Sequence, residues 1–166
     1  LELDTTLYPG NWSEYVANEW PDFSTIVDVN PNRNALIEDF TGHKCNNCPA
    51  AAAVAHAIYE SNPTRVFIAG IHASNTVSGS SSFQTVNLAA GYTVDFTNPN
   101  GLALGSYFGV TLANSGFFGN PAGTINRTSI DGEYFSASGT WSSRVNGILS
   151  STLKVRIKSK LNYYES

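Results

Sequence analysis

Between an apolar run that ends at Phe40 and an alanine-rich run that begins at Ala50, the chain sets its two cysteines as Cys45-Asn46-Asn47-Cys48-Pro49. The flanking segments constrain the fold. Ala35 to Phe40 reads as a mostly buried strand. Pro49 to Tyr59 reads as a helix with Ala51, Ala55 and Ile58 on one side, and Pro49 suits its first turn. Asn62-Pro63 stops that helix, and Val66 to Ile71 reads as a second buried strand. Strand, helix and strand in this order form a β-α-β unit, whose strands run parallel.

The cysteines therefore fall where a strand hands over to a helix. There, unclaimed backbone N–H groups and the positive end of the helix dipole favour a thiolate. Cys45 is the candidate nucleophile. Cys48, about one helical turn on, can close a small disulfide ring or resolve a mixed disulfide. A bridge that closes so short a loop removes little chain entropy, so chemistry explains the pair better than clamping does. Lys44 and His43 add Coulomb attraction for a Cys45 thiolate, weakened by exposure and salt.

The chain has 166 residues, 42% of them hydrophobic and 12% aromatic, which is enough for one domain with its own core. The net charge of −4 argues against a nucleic-acid surface. Its distribution is lopsided. Glu2, Asp4, Glu14, Glu19, Asp22 and Asp28 precede the first basic residue, Arg33, and Lys154, Arg156, Lys158 and Lys160 crowd the far end; solvated surface charge is the plain reading. No run of about eighteen apolar residues occurs, and Leu1-Glu2-Leu3-Asp4 has neither the basic flank nor the apolar stretch of a signal peptide. With no methionine, the chain reads as mature or trimmed, so compartment must be inferred otherwise.

Residues 1–32 are expected to form an acidic arm packed on the domain, with an edge strand over Phe23 to Val29. Residues 74–98, rich in Ser, Thr, Asn and Gly, read as an insertion with a short hairpin. A short helix over Asn100 to Gly109 follows, although Gly101 and Gly105 weaken it. Thr124-Ile125-Asn126 reads as a strand, Ile130-Asp131-Gly132-Glu133 as a hairpin turn, and Trp141 to Thr152 as a helix with a Val145, Ile148, Leu149 stripe. Alternation over residues 153–161 is strand-like, in a basic tail (153–166) that would open a further β-rich domain.

This element order, with Cys-x-x-Cys after the first core strand, resembles the thioredoxin-like superfamily over residues 33–152. The resemblance implies a central mixed four- to five-stranded sheet with helices on both faces. It also implies that Asp39, six residues before Cys45, is a buried acid assisting proton transfer at the resolving cysteine, and that Pro121 is a cis-proline facing the pair. Asn120, Lys44 and His43 would border the substrate groove. The stretches Leu36 to Pro49 and Asn120 to Arg127 are more narrowly similar to the thioredoxin-like envelope family named outer membrane protein twenty-eight. That similarity implies a periplasm-facing bacterial cell-envelope location, possession of protein thiols, disulfides or envelope proteins as partners, and membrane attachment only through an upstream lipid anchor. Relative to thioredoxins proper, Lys44 occupies the place of the tryptophan before the first cysteine, and Asn46-Asn47 lacks the proline that stiffens the usual active-site turn.

The expected activity is thiol-disulfide exchange with no bound cofactor or metal. The alternative is a non-catalytic envelope binding module with a quiet disulfide. A metal-handling role ranks lower: structural zinc needs four ligands and only His43, His56 and His72 could join the cysteines, although His72 could approach their edge of the sheet, as in copper-handling thioredoxin-fold proteins. Covalent haem is excluded, because Pro49 stands where Cys-x-x-Cys-His needs histidine. The plain readings are a surface role for His56, a carboxylate satisfied by backbone N–H groups for Asp39, and inward-packed rings for Gly116-Phe117-Phe118-Gly119.

Overall fold

The structure, a computed structural model, describes residues 33–73 and 83–152. The expected arm over 1–32, the basic strand over 153–161 and positions 74–82 lie outside the described residues.

The first strand, β1 (Ala35–Thr41), leads through a double turn into helix α1 (Cys48–Ser61) and returns as β2 (Val66–His72), parallel to β1 with Ala35 opposite Val66 and Thr41 opposite His72. Helix α2 (Pro99–Ser106) runs on into a π-helical turn over Tyr107–Thr111. Strands β3 (Ala122–Ile125) and β4 (Phe135–Ser136) are antiparallel to each other, and α3 (Trp141–Ser150) closes the described chain. The result is an α/β fold with a four-stranded mixed sheet in the order β2-β1-β3-β4 and three α-helices among the described residues.

Strand alternation assigns the two faces. Ala35, Ile37 and Ile125 meet Ala51, Ala55 and Ile58 of α1 and Trp141, Val145 and Ile148 of α3. Alanines on the buried stripe let α1 lie close to the sheet, and Gly123 does the same for α3, since a Cβ there would fall 2.4 Å from the Trp141 ring. On the opposite face Phe40 is met edge-on by Phe108, Phe117 and Phe135 at ring separations of 6.0, 5.1 and 4.7 Å. Such pairs contribute about 0.5–1.5 kcal/mol each beyond their burial.

Glu38 is buried on that second face. Arg127 holds it bidentately, Nε donating to Oε2 at 2.8 Å and an Nη donating to Oε1 at 2.7 Å, and Thr124 Oγ1 donates at 3.1 Å. Arg127 also lies 5.6 Å over the Phe108 ring. Burial acts to raise the Glu38 pKa, but the Arg127 and Thr124 contacts outweigh it and leave it below the ordinary carboxylate value.

Three sequence expectations need correction. β2 is an edge strand among the described residues, not a buried one: Phe67 is 50% exposed. Gly101, taken as a weakness in α2, is what lets the helix reach β2, because a Cβ there would sit 2.2 Å from the His72 carbonyl oxygen. The Phe117-Phe118 pair is split, with Phe117 buried against Phe40 and Phe135 while Phe118 is 83% exposed. The hairpin turn holds: Ile130 and Glu133 exchange backbone hydrogen bonds, and Asp131 and Gly132 both have positive φ. Among the described residues of the insertion, Asn87 and Tyr92 form a bridge around a 3-10 turn.

Candidate functional site

From the end of β1 the backbone turns twice before α1. Cys45 N–H donates to the Gly42 carbonyl at 3.0 Å, and Cys48 N–H donates to the Cys45 carbonyl at 3.2 Å. These turns bring the two cysteine Cα atoms to 5.4 Å, and the sulfurs are bonded to each other. Cys48 opens α1 and Pro49 follows in the first turn, where its missing N–H removes no helical bond. Asn47, at the cap position, makes no side-chain capping bond.

Both cysteines are covered, Cys45 at 5% exposure and Cys48 at 2%. A shallow opening of about 210 Å³ lies beside the bridge, lined by Cys48, Pro49 and Ala52 of α1, by His43, and by His72 at the end of β2.

Asp39 lies on the α1 face of β1 and is 4% exposed. Its Oδ1 has no hydrogen-bond partner, and burial pushes the pKa from 3.8 up to about 6. The plain reading of this residue, a carboxylate satisfied by backbone N–H groups, is overturned at that oxygen. Its register partner on β2 is Gly70, where an added Cβ would meet nothing within 4 Å, so the neighbouring strand leaves space there.

Residues 83–98 pack over the turn that carries the cysteines. Lys44 N–H donates to the Phe83 carbonyl at 3.2 Å and Lys44 Nζ to Thr85 Oγ1 at 3.0 Å. Gly42 is needed for this approach, since a Cβ there would fall 2.7 Å from Cβ of Phe83. The His43 ring packs against Tyr92 and Phe96 at 5.2 and 4.9 Å, with both ring nitrogens buried and unpartnered. Phe96 stacks on its other neighbour, His72, at 5.0 Å and 12°.

Gln84, fully buried, stitches this segment to the sheet. Its Nε2 donates to the carbonyls of Thr41 at 2.7 Å and Ala73 at 3.1 Å, and its Oε1 lies 2.9 Å from His72 Nδ1. Asn120 Nδ2 donates to the same two carbonyls at 3.0 and 2.8 Å. Two side-chain amides thus tie the ends of β1 and β2 together, and the Asn120–Pro121 peptide between them and β3 is cis.

Of the residues singled out from sequence, Cys45, Cys48 and His43 meet at one place, Asp39 lies on the same sheet face as α1, and Asn120 and Pro121 join the same end of the sheet through Thr41. Lys44 donates its ammonium to Thr85, and Asn120 donates its amide to the strand ends. Gln84, Tyr92 and Phe96 went unnoticed, because they sit in a segment with no periodicity; the sole signal was a lone glutamine in a Ser- and Thr-rich run. His56 is exposed beside Glu60 at 3.4 Å, far in character from a ligand.

Among the described residues, no three His, Cys, Asp or Glu side chains are grouped to hold a metal ion, and no helix is long and apolar enough to cross a membrane. No protein-family model, curated protein or solved structure matches the chain.

Proposed function

We propose that this domain exchanges thiols and disulfides with other proteins on a thioredoxin-like scaffold, as part of a bacterial cell-envelope protein. Cys45 attacks or is attacked, a mixed disulfide forms, and Cys48 resolves it to the internal bridge. Asp39 assists proton movement at Cys48, and Pro121 shapes the surface that meets the partner. The observation that carries the reading is the bonded cysteine pair at the start of α1, on the sheet face where an unsatisfied carboxyl is buried. A carboxyl that holds its proton to about pH 6 can give and take one near neutrality.

The trapping experiment uses reduced protein and an oxidised peptide dithiol. Cys48→Ser should accumulate a mixed disulfide through Cys45, and Cys45→Ser should accumulate none. Equal yields from the two variants would overturn the roles.

The second reading, an envelope binding module with a quiet disulfide, draws on the burial of both sulfurs. Its signature is a bridge that withstands millimolar dithiothreitol in the folded protein. Rapid reversible reduction favours exchange.

A further inference from the structure

His43 and His72 both touch the segment over the site and the opening beside the bridge, and of the two His72 alone also lines a second cleft. It lines the 210 Å³ opening with Cys48, and a second cleft of about 410 Å³ on the side of Asp95, Phe96 and Asn98. Its tautomer can be assigned from its neighbours. Gln84 Nε2 sits between two carbonyl oxygens, Thr41 and Ala73, neither of which can donate, so that atom is the amide nitrogen and its partner Oε1 is an acceptor. The His72 nitrogen facing Oε1 at 2.9 Å must then carry the hydrogen. In the neutral ring this leaves the lone pair on Nε2, which takes no hydrogen bond from any described residue.

We infer that His72, held in the Nδ1–H tautomer by Gln84, is the group through which the Cys48 proton leaves the site for solvent. The inference rests on the exchange reading and assigns it an exit path. In the resolving step Cys48 gives its proton to His72 Nε2 and attacks Cys45 Sγ of the mixed disulfide. The Cys45–Cys48 bond forms, the bond from Cys45 to the partner sulfur breaks, and the electron pair departs on the partner as thiolate. The domain's two thiols are oxidised by two electrons, and the partner disulfide is reduced by two. The imidazolium then loses its proton to water through the opening. The ring is suited to this: it stacks on Phe96 and is hydrogen-bonded at one nitrogen, so its second nitrogen is oriented without being consumed.

Among the described residues, the titratable groups facing His72 are Cys48 and His43 across the opening, Asp95 in the packed segment, and Asp39 on the same face of the sheet. Asp39 is buried and lines neither opening, whereas His72 lines both, so the proton that Cys48 releases reaches solvent through the ring and not through that carboxyl. Gln84 is a positioning residue, acting through the ring.

The test separates the two cysteine steps. Mixed-disulfide formation at Cys45 is measured by stopped flow in Cys48→Ser with and without His72→Asn, and resolution is measured in the protein with both cysteines, across pH. His72→Asn should leave formation unchanged and slow resolution by about 100-fold, the low end of what a placed acid-base group contributes. It should also remove one inflection from the pH profile of resolution. Nitrogen-15 spectra of the unaltered protein should show a protonated Nδ1 and a bare Nε2 at His72, a readout that needs no variant. Resolution at the unaltered rate and profile in His72→Asn, or a protonated Nε2 in the neutral ring, overturns the inference while exchange stands. Absence of any mixed disulfide in Cys48→Ser overturns the exchange reading instead.

Discussion

Asp39→Asn tests the electrostatics of the site through folding stability alone. Below pH 3.8 the carboxyl keeps its proton in both folded and unfolded chains and contributes nothing to the pH dependence. As pH rises the unfolded chain releases that proton first, while the buried group holds it to about pH 6, so the folded state binds more protons and stability falls. Above that point both states are ionised and the penalty is complete. A rise from 3.8 to about 6 corresponds to about 3 kcal/mol. Asparagine cannot ionise, so the stability of Asp39→Asn relative to the parent should grow by about 3 kcal/mol between roughly pH 3.5 and 7. The fixed cost of placing an amide there cancels in this difference, as does the opposite titration of Glu38. Urea denaturation at several pH values measures it. Parallel curves for the two proteins across that window would refute the claim that burial sets the properties of this carboxyl.

Arg127→Met leaves Glu38 buried with Thr124 alone and should cost about 2 kcal/mol near neutral pH, less than a fully buried pair because Arg127 is half-exposed. Glu38 is held below its ordinary 4.5, so its stabilisation is present above that value and fades as pH falls through the folded pKa; the difference between the proteins should shrink toward pH 3 in the same denaturation series. Gly101→Ala should destabilise by about 2 kcal/mol despite the better helix propensity of alanine, because the methyl meets the His72 carbonyl, and an equal or higher melting temperature would contradict that packing. Gly70→Ala, which meets nothing within 4 Å, should change the melting temperature little.

Much of the fold was legible because its signals are local. Pro49 after Cys48, the alanine stripe of α1, Asn62-Pro63 and Asp131-Gly132 each act on their own few residues, and all appear as read. Reading failed where the deciding neighbour is remote in sequence. Val66 to Ile71 looks like any buried strand, and its place at an edge of the sheet among the described residues depends on which strands pair. Gly101 looks like a poor helix residue until the end of β2 is brought against it. Phe117 and Phe118 are chemically identical, and backbone direction at one loop decides which ring is covered.

The site divides in the same way. Two cysteines three positions apart at a strand-to-helix turn determine by chain geometry alone that their sulfurs can bond, and this needed no fold. Whether the Asp39 carboxyl is buried without a partner at one oxygen, which side chain meets His72 Nδ1, and how far the bridge is shut from water were decided only by the folded chain. Water is excluded and hydrogen bonds are completed there by residues such as Gln84 and Phe96, dozens of positions away, and dielectric environment is a property of space rather than of sequence order.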